Sequence, residues 1–156
     1  MYVVRKLRKW DLSGMKKGSD ILYQCGKDMA QKYNLHHWDN SYVKTWIILL
    51  LCTLKNDIYL VYDGKNPVAT FQTRKIAQSF LFQKLATEPV YSGRGIGSYC
   101  LKQIEQIAKK CGCTEVICEV YDKSDHAKRF YEHRGYTVCG TVETLKYREW
   151  KLRKGL

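Results

Sequence analysis

The sequence predicts a single α/β domain (α+β by some schemes), with a mixed central sheet of about six or seven strands and helices on both faces. Three observations carry this. Strand-like and helix-like stretches succeed one another in the order β α α β β β α β α β β. The segment "IYLVYDGKNPVATFQTRKI" reads as an antiparallel hairpin. Finally, a turn with glycines at alternate positions, "YSGRGIGSYCL", delivers a strand into a helix, as a crossover connection requires. At 156 residues the chain is expected to form one domain over 1–156, since such a length buries about 70% of the unfolded surface.

Each element has its own reason. "MYVVRKLR" alternates as a first strand does, and Ile21, Leu22, Cys25 and Met29 fall at helical spacing within an expected helix from about Ser19 to Tyr33. A second helix follows, with Ser41 as its cap and Val43, Trp46, Ile47, Leu50 and Leu51 as its buried stripe. The hairpin turns through Asp63-Gly64-Lys65-Asn66, with Pro67 at the edge of the return strand. "SFLFQKLAT" is a strand ended by Glu88-Pro89. The glycine turn opens a helix from Ile96 to about Lys110 with the stripe Ile96, Cys100, Leu101, Ile104, Ile107 and Ala108. "TEVICEVY" is apolar on alternate residues, and a short helix from Ser124 to Arg134 closes on Gly135. "YTVCGTVETLKYREWKL" supplies a last hairpin, expected to turn near Gly140.

Composition excludes several classes. Hydrophobic residues at 45%, charged residues at 27% and two prolines describe a globular chain without low-complexity tracts. The most apolar stretch, "WIILLLCTL", is far shorter than the roughly 20 residues of a membrane span. The N-terminus lacks the apolar core of a secretory signal, so a cytoplasmic location and no membrane partner are expected. Seven cysteines lie scattered without C-x-x-C pairs, so no metal site is expected. The net charge of +12 suits any polyanion, whether nucleic acid, an anionic membrane or a phosphate-rich cofactor.

The glycine turn narrows that choice. A P-loop needs a lysine followed by Ser or Thr after its glycines, and none occurs here. A dinucleotide fingerprint is only partly matched, because Cys100 stands where the third small residue belongs. The remaining reading is an anion site made of backbone N–H groups at the head of a helix. Here "LATEPVYSGRGIGSYCL" resembles the coenzyme A segment of the GNAT acyltransferase superfamily, a strand followed by (Q/R)-x-x-G-x-(G/A). A second segment, "EVYDKSDHAKRFYEHRGY", is similar to that family's N-x-x-A-x-x-(F/L)-Y-E-x-x-G-(F/Y). The sequence departs from the pattern at Ser92, where Gln or Arg is usual, and at Ser124, where Asn is common.

The resemblance implies a GNAT-like three-layer fold and an N-acetyltransferase that uses acetyl-coenzyme A as co-substrate and no metal. It implies that Leu85, Ala86 and Thr87 lie along the pantetheine arm and that Gly93, Arg94, Gly95, Ile96, Gly97 and Ser98 hold the pyrophosphate, with Ser124 a further contact. It also implies that Tyr131 protonates the departing thiolate, Phe130 being the better core residue of the two. Arg94, Lys102, Lys128 and Arg129 are candidates for the 3′-phosphate. For the general base Glu88 and Glu119 are candidates, and His36, His37, His126 and His133 are alternatives because imidazole titrates near neutrality. In the family, the region between the first two helices, here "NLHHWDN", tends to line the acceptor pocket. The acceptor is expected to be an amine-bearing small molecule or protein. A homodimer could pair through "LKYREWKL". The rival readings are a basic nucleic-acid-binding module, which lacks any RNP-type aromatic signature, and a non-catalytic acyl-coenzyme A sensor.

Overall fold

Seven strands and four helices appear in the expected order in the structure, a computed structural model that describes residues 1–39 and 45–156. They are β1 (Tyr2–Lys6), α1 (Leu12–Tyr33), α2 (Trp46–Cys52), β2 (Asp57–Asp63), β3 (Asn66–Ile76), β4 (Ser79–Thr87), α3 (Ile96–Lys110), β5 (Glu115–Tyr121), α4 (Asp125–Glu132), β6 (Thr137–Glu143) and β7 (Arg148–Gly155). The sheet runs β1-β2-β3-β4-β5-β7-β6. β4 and β5 pair in parallel, because the helix α3 between them returns the chain to the same end; β1/β2, β2/β3, β5/β7 and β6/β7 are antiparallel. The chain divides into two compact units, Met1–Arg74 with Lys84–Ile104, and Lys75–Gln83 with Glu105–Leu156.

In the first unit, the β2/β3 hairpin turns where expected. Asp63 faces Asn66, and Gly64 takes the left-handed φ of +60 that a two-residue hairpin turn asks of its first residue. Helix α1, however, begins at Leu12 rather than near Ser19. Asp11 caps it by accepting a hydrogen bond from Gly14 N at 2.8 Å. Glycines and lysines in this first stretch hide the apolar period, yet the glycines are there for packing. A Cβ at Gly18 would stand 3.0 Å from Leu49 Cδ1, and one at Gly26 would collide with the Trp38 carbonyl. Met15, Ile21, Leu22, Leu49, Ile58, Leu60 and Ala86 form the core of this unit.

Helix α2 corrects the expected stripe. Leu49 is its buried residue, 1% exposed, whereas Trp46, Ile47 and Leu51 are 37%, 47% and 55% exposed. The helix is seated by Leu49 on Gly18, and of the expected stripe Leu50 packs, half-buried, against the same core, as does Cys52. Thr45 precedes it in an extended conformation without a side-chain cap bond; the expected cap Ser41 and Val43 lie outside the described residues. Helix α3 buries most of its expected stripe, with Ile96, Cys100, Leu101, Ile104 and Ala108 all at 2% exposure or less, while Ile107 is half-buried.

In the second unit, Phe82, Tyr131 and Tyr136 stack edge-on around one another with ring centroids 5.6 to 6.1 Å apart. Tyr131 is buried and Phe130 is half-buried, the reverse of the expected order, because Tyr131 is the one that meets Phe82 and Tyr136. The Tyr136 hydroxyl donates to Glu105 Oε1 at 3.2 Å, and Lys154 Nζ donates to the same oxygen at 2.8 Å. Burial, and secondarily the adjacent Glu105 carboxylate, push the Tyr136 phenol upward. The last hairpin turns at Thr144–Tyr147, not at Gly140. The Thr144 hydroxyl donates to Tyr147 O at 2.6 Å and accepts from Tyr147 N at 3.0 Å, a closure a threonine can make without glycine. Gly140 sits instead inside β6, at a register shift. β7, which carries most of "LKYREWKL", is flanked by β5 and β6. Both its edges are used, so it is not the strand that pairs with a second chain.

All seven cysteines are free thiols. Burial pushes Cys25 up to about 11 and Cys100 up to about 12, and pushes Cys118 up as well. Cys111 and Cys139 are exposed.

Candidate functional site

Strand β4 feeds the turn. Its ladder with β5 runs from Ser79 to Phe82, and at Lys84 the backbone takes a φ of +50, a bulge-like break in an extended strand. Leu85, Ala86 and Thr87 follow as its last residues, and Glu88 N donates to Val68 O at 2.9 Å. The Thr87 backbone offsets part of the rise that burial causes at the Cys25 thiol. Pro89–Tyr91 then form a single 3-10 turn, closed by Ser92 N on Pro89 O at 3.0 Å.

Gly93 and Gly95 have φ of +76 and +75, and a Cβ on either would meet nothing within 4 Å. Arg94 between them keeps a negative φ. Glycine is therefore required here by backbone conformation and not by crowding. A residue of negative φ between two of positive φ is a pattern that turns can use to direct successive amides toward one side, as in an anion-binding nest. The first ladder bond of α3 is Tyr99 N to Gly95 O at 3.0 Å, so the Ile96 and Gly97 amides precede the helical ladder and add to it, as does the helix dipole. Left-handed glycines, open space before them and the Arg94 guanidinium together fit a pyrophosphate.

Two residues that hold this turn have no signal in the sequence. The Tyr2 hydroxyl donates to Arg94 O at 3.4 Å, while Tyr99 donates to Tyr2 O at 2.9 Å and the two rings lie 5.3 Å apart. Arg94 also sits 5.1 Å over the Tyr91 ring. Tyr2 and Tyr99 are 97 positions apart, and only the fold joins them.

Glu88 heads the 3-10 turn, half-buried. Burial raises its carboxyl above the ordinary value, and the Asp20 carboxylate adds to this. Next to it, Pro89 borders an open cavity of about 670 Å³ along α1, lined also by Tyr23, Lys27, Asp28, His36 and Asp39. His36 Nδ1 is 2.6 Å from Asp39 Oδ2, and its Nε2 is 2.9 Å from Asn34 Oδ1. Trp38 packs against the core beneath this loop.

The first unit thus contains Leu85, Ala86, Thr87, Glu88 and the whole of Gly93 to Ser98. Glu119, Ser124 and Tyr131 belong to the second. Glu119, on β5, accepts from Gln83 Nε2 at 3.4 Å. Ser124 precedes α4, is 3% exposed and makes no side-chain cap bond. Tyr131, on α4, is 9% exposed. Of the histidines, His126 is lowered by burial. Lys128 is drawn to Glu132 at 3.7 Å and to the Trp150 ring at 5.1 Å.

The architecture is found in other solved proteins. PaiA N-acetyltransferase of Thermoplasma acidophilum, in complex with coenzyme A, is 18% identical with a TM-score of 0.78, over 100% of this chain and 99% of that one. An acetyltransferase of Streptococcus agalactiae is 13% identical with a TM-score of 0.77, over 99% and 98%. The ribosomal-protein-S18-alanine N-acetyltransferase of Escherichia coli is 14% identical with a TM-score of 0.75, over 99% and 94%. At such identities the likeness is one of fold. Residues 24–136 match the model of the Acetyltransferase (GNAT) family, a span that begins within α1 and takes in the glycine turn and α4. The chain belongs to the GNAT family and is an acetyl-coenzyme A-dependent N-acetyltransferase.

Proposed function

We propose that this enzyme transfers the acetyl group of acetyl-coenzyme A directly to a primary amine. The observation that carries the reading is the 93–98 turn, whose positive, negative, positive φ sequence at the head of α3 suits a pyrophosphate. Acetyl-coenzyme A supplies the acetyl group as an activated thioester. Gly93 to Ser98 and Arg94 bind its phosphates, and Leu85 and Ala86 offer backbone along the pantetheine arm. One of the backbone amides of Leu85 to Thr87 is the candidate for contact with the thioester carbonyl. Ser124, in the family's asparagine position, is buried and contributes through its backbone.

In the transfer, the amine nitrogen bonds to the thioester carbon, the C–S bond breaks and Tyr131 donates its proton to the thiolate. Glu88 is favoured over Glu119 as the base. Its raised carboxyl accepts a proton nearer neutrality, whereas Glu119 is held by Gln83. Glu88 also adjoins the α1 cavity through Pro89, which makes that cavity the place for the acceptor, a small amine or the amine of a protein. One fold relative, by its name, acts on an alanine of a ribosomal protein. We place the enzyme in the cytoplasm, and a homodimer, with β7 enclosed, would use the β6 edge.

The test is calorimetry paired with turnover. Acetyl-coenzyme A should bind at submillimolar concentration, and Tyr131→Phe should lower turnover by about 10²-fold or more with binding unchanged. Absence of binding overturns the enzyme reading. Turnover unaffected by Tyr131→Phe removes the tyrosine from the mechanism. Binding without turnover on any amine in a broad panel leaves the sensor reading in its place.

A further inference from the structure

We propose that one end of the first unit docks on an anionic lipid surface. Two loops meet there. β1 ends with Lys6 opposite Tyr59, and Leu7 N then donates to Ile58 O at 2.8 Å, so the Leu7–Asp11 turn lies beside the Thr53–Asn56 turn that enters β2. The first carries Trp10, which is 75% exposed, and the second carries Leu54, which is 78% exposed. Leu54 continues the outward stripe of α2, Ile47 and Leu51, at helical spacing.

Trp10 adds a second, independent sign. Its φ is +74, a conformation that costs a bulky side chain energy and is kept only where the surroundings impose it. The turn closes tightly around it, with Asp11 N on Arg8 O at 3.1 Å and Leu12 N on Trp10 O at 2.8 Å. The strain therefore holds a large ring out in water, where it contributes nothing to the core.

Charge selects the occupant. Arg8, Lys9 and Lys55 border the apolar residues, all exposed and none in an ion pair among the described residues. The two carboxylates nearby are committed, Asp11 to the α1 cap and Asp57 to Lys6 at 2.8 Å. A second copy of the chain would bring these cations against one another. Nucleic acid matches the charge but offers no hydrocarbon for Ile47, Leu51 and Leu54. An anionic bilayer surface offers both, and tryptophan suits the boundary between headgroup and acyl chain. This revises the expectation of no membrane partner. "WIILLLCTL" is too short to cross a bilayer, but lying on one requires an apolar face and basic neighbours, not length.

Flotation of the full chain with vesicles tests this. Vesicles of phosphatidylcholine with roughly one-third phosphatidylglycerol should carry the protein at low salt and release it at high salt, while pure phosphatidylcholine vesicles should not carry it. Leu54→Glu and Trp10→Ala should each reduce partitioning by about tenfold, with unfolding unchanged because both side chains are exposed. The proposal is overturned if the anionic vesicles fail to bind or if both variants partition like the parent. It is also overturned if Leu54→Glu turns a dimer into a monomer, which would assign the face to a second copy, or if the same variants abolish oligonucleotide binding while vesicles are ignored.

Discussion

Helices α2 and α3 are both rich in Ile and Leu at helical spacing, yet they end in opposite situations. α3 turns Ile96, Cys100, Leu101, Ile104 and Ala108 wholly inward, while α2 keeps Leu49 inside and presents Ile47 and Leu51 to solvent. Periodicity shows that a helix has an apolar face but not what will cover it. α3 spans 15 residues as the crossover between two parallel strands and has a sheet to cover it. α2 spans seven and rests on a glycine.

The sharpest way to break this comparison is truncation of one residue from each stripe. Ile104→Ala should lower unfolding free energy by about 2–5 kcal/mol, whereas Leu51→Ala should change it by no more than about 0.5 kcal/mol, both read from urea denaturation. Comparable losses would mean that the α2 face is covered. Next in size is the turn that opens α3. Gly95→Val forces a β-branched residue into a left-handed φ at a strain of about 1–3 kcal/mol, expected in calorimetry as acetyl-coenzyme A affinity weakened by about 5- to 150-fold. Gly140→Ala, at a glycine with open space and no left-handed φ, should leave affinity unchanged.

The smallest effect concerns pH. Burial favours protonated Glu88 in the folded protein, so this group favours folding at low pH and the contribution is lost as pH rises through its raised value. A base must be ionised, so the acidic limb of kcat/KM should lie above the ordinary carboxylate range. Glu88→Gln should flatten that limb, and a limb that persists unshifted in the variant would assign the base elsewhere.

Local chemistry was legible and long-range contact was not. β4 was read to the residue because Glu88-Pro89 stops it, and the 64–65 turn because glycine at left-handed φ has few substitutes. The start of α1 is hidden in the sequence, since Gly14 and Gly18 look like helix breakers, although each makes room for a neighbour, Leu7 and Leu49. For the last hairpin the sequence points to Gly140, the more conspicuous turn residue, whereas Thr144 closes the turn with a hydroxyl. At the candidate site, the glycines could be read individually. The Tyr2–Tyr99 contact that braces Arg94 could not, since nothing in one segment announces its partner in another.

The buried thiols also decide how this protein will behave toward chemical reporters. With Cys25 pushed up to about 11 and Cys100 to about 12, at most about one such thiol in 10⁴ is ionised near neutral pH, and only the thiolate attacks an electrophile. A maleimide dye will therefore attach first at Cys111 and Cys139, the exposed pair. Replacing those two by serine would lower the protein's own background in any assay that counts coenzyme A release through its free sulfur. Restoring either one would then give a single point for a fluorophore on the second unit.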